Sequence, residues 1–258
     1  MNKNEVTALD DGLDRLQINT VYKGTSLMAF PGEEWGSFYG TTFARNDLGK
    51  ILIDKNGMPK TSTTNKILGN VNPDWTGGLR NSFSYKNLSL SALIDFRKGG
   101  DVFSMTKADG QHSGLLEVTV KDGIRENGMV VDGVYENGTV INGADVSGQP
   151  NQTRISARSY WRSSRNWAEL SIFDGSYIKL REVTFTYALP KSFLNRMGIL
   201  NAAISIYAHN LALLYLDESN DTPVDPDVSY GGTVAGTGTE IFQLPSTRTF
   251  GCKLNVNF

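Results

Sequence analysis

An alternation with a period of two governs the last ten residues, TFGCKLNVNF, from Thr249 to Phe258. Phe250, Cys252, Leu254, Val256 and Phe258 fall on one face, and Thr249, Gly251, Lys253, Asn255 and Asn257 on the other. Strict alternation of this kind is a β-strand with one apolar and one polar surface. Terminal residues usually fray, so a strand that stays regular to its last residue needs a partner strand. Two structures satisfy the pattern: a soluble sheet over a core, or a membrane barrel with lipid outside and water within.

The same period recurs upstream. In FSYKNLSLSALIDF, Phe83 and Tyr85 alternate with Ser82 and Ser84; after Lys86-Asn87, Leu88, Leu90, Ala92, Ile94 and Phe96 form the next apolar row. This predicts a hairpin with a very tight turn. In SYIKLREVTFTYALP, Val183, Phe185 and Tyr187 alternate with Glu182, Thr184 and Thr186, while Ile178 and Leu180 stand in the opposite phase, which points to a bulge or to a strand leaving the apolar layer. NAAISIYAHNLALLYL supplies Ala202, Ile204, Ile206 and Ala208 against Ser205, Tyr207 and His209, and GSFYGTTFAR (36–45) is a sixth, weaker strand pattern.

Connections between these strands alternate in length. The links at 86–87 and 190–200 are short, whereas those over 46–75, 105–168 and 217–245 are long. Up-and-down membrane barrels show this asymmetry, with short periplasmic turns and longer extracellular loops. The long connections are not featureless, because Asn56-Gly57, Asn137-Gly138 and Asn142-Gly143 beside β-formers predict small ribbons.

Composition excludes several function classes. A net charge of −2 without a Lys/Arg run gives no footprint for nucleic acid. One cysteine and two histidines leave no metal-ligand spacing and no nucleophilic triad, so no cofactor, no metal centre and no catalytic residue is expected. The opening MNKNEVTALDDGLDRL is acidic and lacks the apolar core of a secretory signal. No stretch reaches the roughly 18 apolar residues of a membrane helix. Alone this would suggest a cytoplasmic protein; a front end lying outside this sequence reconciles it with the strand pattern.

Five ordered stretches carry a family resemblance: GNVNPDWTGGLRNSFSYKNLSLSALIDFRKGGDVFS (69–104), SYIKLREVTFTYALPKSFL (176–194), HNLALLY (209–215), DPDVS (225–229) and PSTRTFGCKLNVNF (245–258). Together they resemble the carboxy-terminal portion of SusC/RagA-type TonB-dependent outer-membrane transporters. The resemblance implies an all-β fold, an antiparallel transmembrane β-barrel segment spanning residues 1–258, with 105–168 and 217–245 as long extracellular loops. It implies import of oligosaccharides or peptides through the outer membrane of a Gram-negative bacterium. It also implies a SusD-like lipoprotein lid and a TonB complex reached through an amino-terminal part that this sequence lacks. About six strands cannot close a barrel of the roughly 22 strands such transporters use, so the chain is expected to be a fragment that does not transport by itself.

Candidate residues follow. Phe258, Val256 and Leu254, apolar on the last strand, resemble the terminal signal read by the barrel-insertion machinery. Tyr160, Trp161 and Trp167 offer rings that could stack on sugars, form an interfacial girdle against membrane lipid, or pack within a loop. Lys179 and Arg181 are charges inside a strand, suited to lumenal selectivity or to an ion-pair ladder. Asp225 and Asp227 lie in an oxygen-rich loop that could hold calcium, although the spacing matches no regular calcium loop. Arg154, Arg158, Arg162 and Arg165 form a basic run suited to an anionic partner or to plain solvation. Cys252, on the apolar face, is expected to act as a small hydrophobe. Two rivals remain at this stage: a soluble carbohydrate-binding β-sandwich, which would bury its apolar faces within one monomer, and an outer-membrane barrel enzyme, which would need a polar catalytic cluster.

Overall fold

The structure, a computed structural model, describes residues 4–22, 24–222, 224–227 and 237–258. Its largest unit is an antiparallel sheet of five strands: β5 (Pro73–Tyr85), β6 (Leu88–Gly99), β9 (Tyr177–Ala188), β10 (Asn201–Leu216) and β12 (Thr249–Asn257). The order across the sheet is β12-β10-β9-β6-β5. Register follows from the alternation, because a slip of one residue would turn every apolar side chain to the other face. One row therefore crosses all five strands as Phe83, Leu90, Phe185, Ile206 and Cys252, and the next as Tyr85, Leu88, Tyr187, Ile204 and Leu254. The opposite face carries Ser84, Ser89, Thr186, Ser205 and Lys253 in one row. Hydroxyls pair along it, Ser84 with Ser89 at 2.9 Å and Thr186 with Ser205 at 2.8 Å.

The apolar face is open. Phe83 is 64% exposed, Ile206 61% and Phe250 68%, with no second layer of the described residues laid over them. A sandwich would have buried these rows, since soluble monomers rarely expose an apolar patch beyond a few hundred Å².

β9 shows the expected bulge. Arg181 is the extra residue between Leu180 and Glu182 against β6, and β10 answers with Asn210 in the left-handed region at φ 51. The hairpin turn at Lys86-Asn87 is also as read, with Tyr85 opposite Leu88 and Lys86 at φ 52.

The weak sixth strand is corrected. Ser37–Gly40 (β3) belongs to a separate four-stranded sheet, in the order β1 (Leu16–Tyr22), β2 (Thr25–Ala29), β3, β4 (Lys66–Asn70). Alternation identifies a strand but not its partner. β4 runs through Val71-Asn72 into β5, β6 through Gly100 into β7 (Asp101–Ser104), and β8 (Ile172–Asp174) through Gly175-Ser176 into β9. β7 pairs with β8 and with the short β11 (Thr239–Glu240), so an upper tier continues the large sheet. At the corner, a Cβ on Gly175 would stand 2.4 Å from the Gly100 carbonyl oxygen, and one on Gly100 2.9 Å from the Pro73 nitrogen. Only glycine lets these three backbones meet.

Two cores sit in the upper tier. One gathers Leu27, Phe38, Val71, Phe103 and Ala108, joining the four-stranded sheet to helix α1 (Met105–Ser113). The other gathers Phe43, Ile53, Tyr135, Ile155 and Trp167 around helix α2 (Ala157–Arg162). Short ladders tie this region together: Leu52–Ile53 runs parallel to Val134–Tyr135, and Met129–Val130 antiparallel to Arg154–Ile155. Of the three Asn-Gly pairs, Asn142-Gly143 forms a two-residue hairpin between Val140–Ile141 and Ala144–Asp145, with φ of 51 and 81. Asn56-Gly57 turns between the bridged Ile53 and Pro59. Asn137-Gly138 makes a turn whose flanking Val134–Tyr135 takes a distant parallel partner instead.

Candidate ligand-binding surface

At the upper end of the polar face, the bulge at Arg181 aims side chains at the connection that follows β10. Lys179 Nζ lies 2.5 Å from Asp225 Oδ1 and 3.2 Å from Asp227 Oδ2. Arg181 reaches Asp227 Oδ2 at 2.7 Å and, through Nε, Asp95 Oδ2 of β6 at 2.6 Å. Tyr177 donates its hydroxyl to Asp227 Oδ1 at 3.1 Å, and the Lys179 ammonium stands 4.9 Å above the Tyr177 ring. Ser246 closes the group, donating to Asp225 Oδ2 from its backbone N–H at 3.0 Å and its hydroxyl at 2.5 Å.

Burial alone would push the Asp225 carboxyl up. Hydrogen bonds from Lys179, from Ser246 and from the Asp227 N–H outweigh it and hold the carboxyl at about 2. The cluster fastens Asp225, Asp227 and Ser246 to the strand end. A charge-assisted pair with so many hydrogen bonds satisfies the condition under which a desolvated ion pair holds. Lys179 and Arg181, read as substrate ligands or as an ion-pair ladder, commit these donors to Asp95, Asp225 and Asp227. The two carboxylates weighed for calcium face these cations. Among the described residues no group of three or more His, Cys, Asp or Glu side chains is arranged to hold a metal ion.

Two further ties escaped the sequence reading. Glu240, 1% exposed, accepts from Ser104 Oγ at 2.5 Å, Thr106 Oγ1 at 2.7 Å and the Thr106 N–H at 3.3 Å. It thus places a carboxylate at the start of α1, where the unpaired N–H groups lie. Lys107, buried on the same helix, reaches Asp221 Oδ1 at 2.8 Å and the Ser219 carbonyl at 3.1 Å. These partners are more than a hundred residues apart in sequence, and no local pattern announces them.

The three aromatic candidates stand together in the second core. Tyr160 meets Trp161 edge-on at 4.8 Å between centroids and Trp167 at 5.6 Å, while Trp167 lies 4.6 Å from Phe43. Trp167 is 2% exposed and donates its indole N–H to Thr61 Oγ1 at 3.1 Å. Burial, with the Glu169 charge adding to it, pushes the Tyr160 phenol up to about 12. Tyr160 and Trp167 are therefore packing residues, with no face open for stacking; Trp161 alone also lines a cavity. On the last strand, Leu254 lies opposite Ile204 and Val256 opposite Ala202, and Phe258 is 86% exposed at the end. Cys252 is an exposed free thiol in the apolar row.

The sheet has one open apolar face, one hydroxyl-lined face and a structured upper tier, and the chain is similar to TonB-dependent receptors. Over its whole length it is 26% identical to the TonB-dependent receptor P3 of Formosa agariphila, of which it covers 26%. It is 26% identical to TonB-dependent receptor P26 of the same organism, over 80% of this chain and 19% of that protein. Among solved structures, a chain of the RagAB peptide importer in the closed-closed state matches 98% of this chain with a TM-score of 0.62 at 20% identity. The RagAB peptide transporter matches it with a TM-score of 0.60 at 21% identity. The chain spans only 26% and 25% of those two structures' chains. No protein-family model matches it. The resemblance to SusC/RagA-type TonB-dependent transporters, read from five motifs, is thus present in sequence and in fold.

Proposed function

We propose that this chain is the carboxy-terminal part of a TonB-dependent importer in the outer membrane of a Gram-negative bacterium. The observation that carries the reading is the five-stranded sheet itself. Its apolar rows run unbroken across all five strands and stand exposed, and among the described residues its edges β5 and β12 each pair on one side only. Unpaired backbone cannot face hydrocarbon, at several kcal/mol per group, so further strands from the same barrel extend both edges. Lipid covers the apolar rows, and the hydroxyl face lines the lumen. The connections 105–168 and 217–245 then lie outside the cell, and Leu254, Val256 and Phe258 present the insertion signal. The cargo is an oligosaccharide or a peptide, taken up with a SusD-like lipoprotein as lid and driven through TonB. The likeness to the RagAB peptide importer favours the peptide. No covalent chemistry belongs to this part.

The test is made on the complete gene product. It is expected in the detergent-resistant outer-membrane fraction, and its deletion is expected to abolish TonB-dependent uptake of peptides or oligosaccharides. Recovery as a soluble monomer without detergent would contradict the reading and favour the carbohydrate-binding sandwich.

A further inference from the structure

The four arginines of the basic run have divided fates. Arg154 donates to the carbonyls of Asn127 and Gly128, each at 3.0 Å, and Arg165 pairs with Asp109 at 2.6 Å. Arg158 and Arg162 stand exposed on α2 with no acidic partner within ion-pair distance among the described residues. Both line a cavity of about 710 Å³ between the end of α1 and the start of α2. His112, Leu115, Arg125 and Trp161 share that lining, and no aspartate or glutamate does. Two lining residues also carry buried polar atoms without a hydrogen-bond partner: Trp161 Nε1, on a side chain 8% exposed, and His112 Nδ1.

Buried polar atoms are paired in nearly all proteins, and cavities of this size hold small ligands. Arg158 and Arg162 in an acid-free lining, with the charge of Arg125 held beside them by its 2.7 Å hydrogen bond to the Gly114 carbonyl, create a field that selects an anion, and a planar carboxylate matches the guanidinium fork with two parallel hydrogen bonds. Leu115 and Trp161 supply an apolar wall for the carbon skeleton beside it.

The geometry points to a binding site for a carboxylate-bearing oligomer in this cavity, gripped by Arg158 and Arg162 with Arg125 behind them. The carboxylate comes from an acidic peptide side chain or from a uronic acid. This rests on the importer reading for the ligand's being cargo, but not for its binding.

The experiment is calorimetric titration of the complete gene product in detergent with hexaglutamate, a hexameric oligogalacturonate, and the neutral hexaglutamine and galactose oligomer. One of the acidic ligands is expected to bind more tightly than its neutral counterpart, and which of the two does so identifies the source. The Arg158→Gln/Arg162→Gln variant, altered at two exposed residues without partners, is expected to keep the wild-type melting temperature. It should lose about tenfold or more in affinity for the acidic ligand and none for the neutral ones. Acidic ligands bound no better than neutral ones, or bound equally by the variant, would overturn the site. Uptake in cells is scored separately: uptake of neutral oligomers without acid preference retires the site and leaves the importer. Acid binding that depends on the arginines, in a strain whose uptake of every oligomer is independent of the protein, does the reverse.

Discussion

Asp225 ties the fold to pH. Its folded value of about 2 lies below the roughly 3.9 of a free aspartate. A depressed carboxylate stabilises the fold above its unfolded pKa, and that contribution is lost as pH falls through the folded value. Asp225→Asn should therefore lower the unfolding midpoint by nearly the same amount at pH 7 and pH 5, with the gap to wild type narrowing from about pH 4 and lost only toward about pH 1, below the folded value. A gap at pH 2 as large as that at pH 7 would remove the ion pair from the account. Gly175 makes a steric argument instead. Gly175→Ala drives a Cβ to 2.4 Å from the Gly100 carbonyl oxygen, whereas the same change at Gly77 meets nothing nearer than 3.7 Å. The first should cost roughly 1–3 kcal/mol and the second about 0.5 kcal/mol or less, read from denaturation of the complete protein. For Trp167→Ala, loss of the central ring of the second core should cost about 3–5 kcal/mol while leaving ligand affinity per folded molecule unchanged, which titration after refolding checks.

At the scale of elements, the two faces of β9 should respond oppositely to charge. Phe185→Lys puts an ammonium in the apolar row, at a cost of about 2–4 kcal/mol if that row meets the bilayer midplane. Thr184→Lys faces the hydroxyl side and should leave assembly intact, as judged by the amount recovered in the outer membrane. Equal tolerance of both would deny the faces their assigned environments. These elements were legible in the sequence because a strand's alternation is local: β5, β6, β9, β10 and β12 can be read without knowing any partner, and so can the phase change within β9, though not that Arg181 is the residue that bulges. The sheet that Ser37–Gly40 joins was not legible, since its neighbours are chosen by tertiary fit. Nor were the ties of Glu240 to α1 and of Lys107 to Asp221, where each residue alone resembles any solvated charge. Tyr160, Trp161 and Trp167 were visible as a cluster, but ring type does not tell a stacking platform from a core.

At the scale of the whole molecule, the five strands form a surface that is incomplete by its own chemistry. Apolar rows without a cover and edges without a second partner both call for surroundings that the described residues do not supply, and the lipid and neighbouring strands proposed above would satisfy both. The upper tier, joined to the sheet where Asp225 meets Lys179 and braced within itself by Glu240 and Lys107, is where specificity is expected to lie, with the arginine-lined cavity its most distinctive feature. The most direct measurement attaches nitroxide spin labels one at a time to residues 249–257 and 82–85 of the complete gene product in lipid vesicles, after replacing Cys252 with alanine. The account predicts period-two behaviour: labels at 83, 85, 250 and 254 relaxed by lipid-soluble oxygen, and labels at 82, 84, 251 and 253 relaxed by a water-soluble nickel chelate. Uniform access to the aqueous reagent at both sets of positions would contradict it.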